Sequence, residues 1–331
     1  MNPPFPPSAL RLMAWMGGDE EDPQNKARFG GTAAIVLQLR ANPGLFTGVM
    51  AFCGWAIAPN GTVYEKNVTK YGQCVGRNTG GADVLGEVRR GGMELHAVVS
   101  IDDHEASFAD PAALVAGFAA RARAEGWAGW NLDWEGANVT GTVDKFVRYC
   151  NLTNALADGL HAHGLAFSAD IQWVTQPWHS QPNSALDALL GAGRLRWSRP
   201  RVEAPTPGPA ADRLAHNLRL TPSHATRPTA VSMDTYYFKT GRVIDAMDFY
   251  TTRVPNRDRL GIGLSTREPT PTLDGFVARF HALRAAQVRE LDMFAMPLNE
   301  TWLPWLRKWK NECRGCPNGG ALSCFAQLNC F

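Results

Sequence analysis

Short apolar runs alternate with amphipathic stretches along most of the chain, and this alternation predicts strands separated by helices. Eight runs carry the strand pattern, at residues 10–15, 46–57, 95–101, 127–135, 165–171, 230–238, 260–265 and 291–298. A Pro59-Asn60-Gly61 turn ends the second run. Strand, helix and strand in succession form the right-handed βαβ crossover of a parallel sheet.

Two of the helices between these strands are delimited by their own end signals. For the first, Asp110 suits the N-cap, Pro111 the first helical position and Gly126 the stop. Its apolar residues recur at helical spacing, at Leu114, Val115, Phe118 and Ala122. The second helix is predicted over residues 143–163 and stops at Gly164. Its apolar stripe comprises Val143, Phe146, Val147, Cys150 and Leu156.

Eight such units predict an α/β fold, a single (β/α)8 TIM barrel that forms one catalytic domain over residues 1–310. The length of 331 residues suits such a barrel with insertions, and 45% hydrophobic residues against 19% charged ones allow a large core. Residues 198–229 are rich in Pro and Arg and break the rhythm, so we expect a surface insertion there. Residues 311–331 form a Cys-rich C-terminal tail.

The charge balance and the sequence motifs narrow the class of partner and the compartment. A net charge of +2 is too small to indicate nucleic acid or an anionic membrane as the main partner. The sequence contains no run of eighteen apolar residues, so no membrane span is predicted. Five Asn-x-Thr sequons favour a secreted or lysosomal protein, although the N-terminus does not resemble a signal peptide and we suspect a truncated start. They begin at Asn60, Asn67, Asn138, Asn151 and Asn299.

Seven cysteines leave two interpretations of the tail open. Four of them crowd the last twenty residues, at Cys313, Cys316, Cys324 and Cys330. The Cys-x-x-Cys pair could begin a zinc site, but no second pair of Cys or His follows at suitable spacing. Together with the sequons, this favours a disulfide-stapled tail. The odd number leaves one thiol free or bonded to another chain.

The candidate chemistry lies in residues 129–136, which read Gly-Trp-Asn-Leu-Asp-Trp-Glu-Gly. In a strand, alternate side chains share a face, so the three polar residues Asn131, Asp133 and Glu135 point one way. Such a row would be costly to bury inside a barrel without a function. Barrel active sites lie at the C-terminal ends of the strands. We therefore expect Glu135 at the pocket mouth, with Asp133 one layer below.

The two carboxyl groups are expected to differ in charge. Because neighbouring carboxylates do not both ionise cheaply, one should keep its proton near neutral pH. A protonated Glu beside a charged Asp is what general-acid catalysis requires. An isolated Asp-x-Glu is more often a solvent-facing strand end that caps the next helix. The three-residue polar row and its place in the barrel rhythm favour the catalytic interpretation.

This segment resembles the fourth-strand signature of glycoside hydrolase family 18, the family of chitinases and chitobiases. That signature is Asp-Gly-x-Asp-x-Asp-x-Glu, with Asn allowed at some Asp positions. The matching positions here are Gly129, Asn131, Asp133 and Glu135. Ala128 stands at the first Asp position, and Trp130 is bulkier than usual at its position. The resemblance extends at the level of pattern over most of the barrel.

The resemblance implies a substrate-assisted mechanism that retains configuration and uses no enzyme nucleophile. Glu135 would protonate the glycosidic oxygen while the substrate's acetamido oxygen attacks its own anomeric carbon. Asp133 would orient the acetamido N–H and stabilise the positive oxazolinium intermediate, and Glu135 would then deprotonate the attacking water. Asn131 stands where the family often has another Asp. An amide can hydrogen-bond Asp133 but cannot share a proton with it, so we expect an altered pH profile.

The same resemblance implies several substrate contacts. On the sixth strand, residues 232–236 are similar to the family's Met-x-Tyr-Asp in changed order and place Asp234 and Tyr236 on one face. Asp170 and Gln172 share a face at the fifth strand, and Trp302 stands where the family has a Trp that floors the sugar site. Two acids, at residues 102 and 103, replace two family glycines after the third strand. The remaining C-terminal tryptophans, Trp305 and Trp309, are expected to pack a helix.

These features predict a hydrolase of β-1,4 bonds in sugars that contain N-acetylglucosamine, acting as a monomer without a metal or cofactor. Candidate substrates are chitin, its oligosaccharides and the chitobiose core of N-glycans. The alternative is a catalytically silent chitinase-like lectin on the same barrel. Such lectins typically lack the catalytic Glu, so the presence of Glu135 favours an enzyme.

Overall fold

Nine strands, seven α-helices and one 3-10 helix, Glu300–Trp302, make up the secondary structure that the computed structural model describes. It describes residues 10–58, 62–65, 82–101, 110–133, 143–171, 229–232, 260–265 and 273–312. The strands are β1 Arg11–Met16, β2 Gly48–Ile57, β3 Val63–Glu65, β4 Glu94–Ile101, β5 Gly129–Asp133, β6 Ala166–Ile171, β7 Thr229–Ser232, β8 Leu260–Ser265 and β9 Glu290–Phe294. The helices are α1 Pro23–Phe29, α2 Gly31–Ala41, α3 Val84–Arg90, α4 Pro111–Glu125, α5 Val143–Ala162, α6 Leu273–Ala285 and α7 Leu303–Glu312.

Eight of these strands form a closed parallel barrel. Each is hydrogen-bonded to its neighbour in the order β1-β9-β8-β7-β6-β5-β4-β2, and β1 also pairs with β2, which closes the ring. The fold class predicted from the sequence is thereby confirmed. Short β3, which the sequence analysis missed, turns back antiparallel onto the end of β2.

The eight predicted strands all exist, with bounds that differ by a few residues. The seventh prediction, residues 260–265, coincides with β8. The eighth prediction ran to residue 298, but β9 ends at Phe294. Of the sixth prediction, residues 230–238, only residues 230–232 are described, and they lie in β7. The Pro59-Asn60-Gly61 turn, residues 198–228 and the tail 313–331 lie outside the described residues.

The strands divide their side chains between two apolar clusters. Outward-facing residues such as Leu12, Trp130 and Leu291 pack with the helices in the main core. A second, smaller cluster lies inside the barrel and comprises Met13, Trp15, Met50 and Val98. This split follows the two-residue period of a strand, with one face of each barrel strand turned to the axis and the other to the helices.

Helix α4 confirms the predicted end signals. The carboxylate of Asp110 accepts hydrogen bonds from the N–H groups of residues 112 and 113, and Pro111 occupies the first helical position. Gly126 ends the helix with φ of 71°, a left-handed conformation that glycine adopts without a steric cost. Leu114, Phe118 and Ala122 are buried, while Val115 lies at the edge of the core.

The second predicted helix and the C-terminal helix also exist. Helix α5 ends one residue before the predicted bound, and Gly164 follows with φ of 74°. Leu156 of its predicted stripe is buried; the side chains of the other four residues lie outside the description. Helix α7 buries Trp309 and stacks Trp305 on Phe280 at 6.2 Å, as expected of a packed helix. None of the helices in the described ranges is long and apolar enough to cross a membrane.

Candidate active site

Strand β5 has the predicted alternation. The indole N–H of Trp130 donates to the Phe118 carbonyl at 3.1 Å, so this side chain lies outside the barrel beneath α4. Leu132 belongs to the same outer core. Asn131, between them, is 0% exposed and bonds to side chains of β6. The inward polar face of β5 therefore begins with a fully buried amide.

The amide of Asn131 links two barrel strands. Its Nδ2 donates to Ser168 Oγ at 2.9 Å and to Asp170 Oδ1 at 3.1 Å, both on β6. Both N–H groups thus bond across to the next strand, whereas the sequence analysis considered a bond to Asp133. Asp170 itself is only 3% exposed. It lies on the strand next to β5 and offers little surface to a sugar.

Asp133 is the last residue of β5 and is half-buried at the C-terminal end of the barrel. In the β4–β5 register it is paired with Ser100. Because β5 and β6 pair Asn131 with Ser168 and Leu132 with Ala169, the same register continued by one residue sets Asp133 level with Asp170. Two acidic residues therefore stand side by side where barrel enzymes have their active sites.

Four predicted site residues lie outside the described residues, and their roles stay predictions. They are Glu135, Gln172, Asp234 and Tyr236. In the sequence, Glu135 follows Asp133 by two positions.

Trp302 does not occupy the predicted position, and its assignment as the floor of the sugar site is corrected. Its side chain is 0% exposed and belongs to the outer core, with its ring 6.2 Å from that of Phe280 on α6. A buried ring offers no face to a sugar. The aromatic residue that ends the last barrel strand and packs on the inner cluster is Phe294. The prediction failed because it extended the strand beyond its end.

A group of charged residues closes the opposite end of the barrel. We call Arg11, Glu94, His96, Glu290 and Asp292 the basal cluster. Arg11 is 3.0 Å from Glu94 Oε2 and 2.7 Å from Glu290 Oε2, and His96 Nε2 is 2.8 Å from Glu94 Oε2. No sequence motif reveals this cluster, because its members come from strands that are distant along the chain.

The pKa values of two carboxyl groups in the basal cluster are shifted in opposite directions. Burial raises the pKa of Glu94, but the hydrogen bond and charge of His96 and the charge of Arg11 outweigh it and lower the pKa to about 2. Burial and the neighbouring charge of Glu290 raise the pKa of Asp292 well above its ordinary value, against the opposing charge of Arg11. Asp292 is 0% exposed and neither carboxyl oxygen has a hydrogen-bond partner among the described residues, so we assign it the neutral form. Within the described residues, no group of three or more His, Cys, Asp or Glu is arranged to hold a metal ion.

Several solved structures share this fold. A class V chitinase from Pseudomonas fluorescens superposes with a TM-score of 0.59 at 12% identity, over 91% of this chain and 99% of its own. A family GH18 chitinase from Cycas revoluta, solved in complex with (GlcNAc)3, gives 0.55 at 11% identity over 93% and 100%. The spore cortex-lytic enzyme SleL of Bacillus megaterium gives 0.59 at 9% identity over 94% and 76%.

These similarities define the class of fold. The chain has the (β/α)8 fold found in chitinases of glycoside hydrolase family 18, over nearly its whole length. Neither a protein-family model nor a curated protein sequence matches it. At such low identity the likeness concerns the fold, and function has to be argued from the site.

Proposed function

We propose that this protein is a glycoside hydrolase that cleaves β-1,4 bonds next to N-acetylglucosamine in chitin-like sugars. The observation that carries the proposal is the polar face of β5, where Asn131 and Asp133 point into a closed barrel of the chitinase fold. An inward amide and carboxyl at this end of a barrel strand are costly to keep unless they serve a ligand.

The proposed mechanism uses the substrate's own acetamido group as nucleophile. Glu135 donates a proton to the glycosidic oxygen as the bond to the anomeric carbon breaks. The acetamido oxygen attacks that carbon from the opposite face and gives an oxazolinium ion. Asp133 orients the acetamido N–H and stabilises the positive charge. Glu135 then takes a proton from the water that attacks the anomeric carbon and opens the oxazolinium ring. Two inversions at one carbon retain its configuration.

This mechanism restricts the substrate class. A sugar without the N-acetyl group supplies no nucleophile, so glucosamine or glucose at the reacting position would not be cleaved. Short chitin oligosaccharides and the chitobiose core of N-glycans both carry the required group. Product analysis with chitotetraose and with a chitobiose-linked glycopeptide distinguishes these two sources.

The test compares wild type with Glu135→Gln on a fluorogenic chitobioside. Loss of the proton donor should lower kcat/KM by about 100-fold or more. Glu300→Gln, an exposed glutamate in the turn before α7, serves as the matched control and should retain wild-type activity. Proton NMR of the first product should show the β-anomer.

Equal rates for wild type and Glu135→Gln would refute the enzymatic proposal. Calorimetry with chitotriose separates the remaining outcomes. Binding without turnover in both proteins would instead identify a chitinase-like lectin, whereas absence of both would exclude this class of sugar.

A further inference from the structure

The carboxyl group of Asp170 lies beside the proposed site without a role in the mechanism above. Parallel strands are about 4.8 Å apart, and residues that are level in the register point to the same side. When the β5–β6 register is continued by one residue, Asp133 and Asp170 are level and point to the same side. Two carboxyl groups at this spacing repel each other when both are ionised.

Asn131 favours the charged form of Asp170. Its Nδ2 donates to Asp170 Oδ1 at 3.1 Å, and hydrogen-bond donors stabilise a carboxylate over a carboxylic acid. If the amide were reversed, its own oxygen would face Asp170 Oδ1, and the two oxygens would repel each other. The second N–H donates to Ser168 Oγ at 2.9 Å, a hydroxyl that can serve as acceptor or donor for either orientation of the amide. All three residues are buried, so solvent screens their interaction weakly.

In the family signature, the position of Asn131 often carries a carboxyl group directly below the one at Asp133. Here the amide cannot share a proton or bear a charge, but a carboxylate is present one strand away. The hydrogen bond from Asn131 ties that carboxylate to the same polar face.

We propose that Asp170, held by Asn131, is a positioning residue whose negative charge controls the ionisation of Asp133. This inference rests on the proposed glycosidase function. Asp170 acts through the amide and through its charge on Asp133 rather than by contact with the sugar, since only 3% of it is exposed. The negative charge makes Asp133 harder to ionise and, once ionised, a stronger partner for the oxazolinium cation.

Apart from Asp133, the described parts of β5, β7 and β8 carry no charged residue on the inner face near Asp170. On β7 the level partner is Val231, and the inward residues of β8 are Gly261, Gly263 and Ser265, none of them charged at neutral pH. The remaining charged or titratable residues on the inner face of the described strands are Arg11, Glu94, His96, Asp133, Glu290 and Asp292. All of these except Asp133 belong to the basal cluster at the other end of the barrel.

The experiment moves the carboxyl group between the two positions. Asp170→Asn removes the charge, Asn131→Asp adds one below Asp133, and the double variant exchanges the two groups. Ser168→Ala is the control, because it removes the neighbouring hydrogen-bond acceptor without changing charge. For each protein, kcat/KM for the chitobioside is measured across pH, with thermal denaturation to verify folding.

We expect opposite shifts of the acidic limb of the pH profile in the single variants. Asp170→Asn should lower kcat/KM about 10-fold and move the limb to lower pH by about one unit, because Asp133 loses a repelling charge. Asn131→Asp should move the limb to higher pH. The double variant should return it close to wild type, and Ser168→Ala should leave it in place.

A folded Asp170→Asn protein with the wild-type pH profile would overturn the inference while leaving the proposed function intact, provided that Glu135→Gln is inactive. A double variant shifted as far as either single variant would also overturn it. A wild type that hydrolyses no N-acetylglucosaminide would refute the proposed function and this inference together.

Discussion

Replacing Glu94 with Gln tests the energetics of the basal cluster. The change keeps the size of the side chain and removes its charge. Glu94 accepts a hydrogen bond from Arg11 at 3.0 Å and lies 2.8 Å from His96 Nε2. Its side chain is 15% exposed, so solvent screens these contacts only in part. The carboxylate should therefore contribute measurably to stability, unlike an exposed ion pair.

The magnitude follows from the lowered pKa of Glu94. Its displacement from 4.5 to about 2 corresponds to about 3 kcal/mol of folding free energy. A carboxyl group with a lowered pKa in the folded state contributes its full stability above the unfolded value. That contribution is lost as the pH falls from about 4.5 to about 2.

Urea denaturation followed by circular dichroism, at several pH values between 7 and 2.5, measures the difference between the two proteins. At pH 7 Glu94→Gln should be less stable by about 3 kcal/mol, and the difference should shrink as the pH falls below about 4.5. Glu300→Gln, in an exposed position, provides the comparison and should differ little from wild type at any pH.

A difference between wild type and Glu94→Gln that stays constant from pH 7 to 2.5 would refute the reasoning. It would show that the loss arises from packing rather than from charge. Equal stability at pH 7 would show that the ion pairs of the cluster merely offset the cost of burying them.

Four further changes have defined outcomes. Gly129→Ala would place a Cβ 2.4 Å from the Ala166 carbonyl oxygen and should destabilise the barrel by at least about 2 kcal/mol in thermal denaturation. Gly117→Ala, with no atom within 4 Å of the added Cβ, should instead stabilise α4 by up to about 1 kcal/mol. Asp292→Asn should become progressively more stable than wild type as the pH rises above about 4, because a raised pKa in the folded state costs stability at higher pH; urea titration checks the trend. Asp110→Ala should cost about 1 kcal/mol in the same assay.

The strands and the ends of α4 were predictable because their signals are local. A strand needs an apolar run of a few residues, and a helix end needs a cap at one or two positions. Asp110 and Gly126 therefore identified both ends of α4 correctly. The hairpin strand β3 was missed because its three residues, Val63–Glu65, carry too short a pattern to stand out.

The error in the candidate site arose because the sequence did not show where the last barrel strand ends. Trp302 was placed in the sugar site by counting from a strand that was predicted too long, and it lies in the outer core instead. Phe294 faces the barrel interior, but nothing in its immediate sequence distinguishes it from the outward residues beside it.

The sequence by itself determined the alternation of strands and helices, and the polar alternation on β5 that includes Asn131 and Asp133. These follow from backbone periodicity, which acts between near neighbours. Only the tertiary structure decided that the amide of Asn131 bonds to Asp170, 39 residues away, and that Arg11 meets Glu94 across 83 residues. Such partners are set by strand order and register, and those emerge only when the barrel closes.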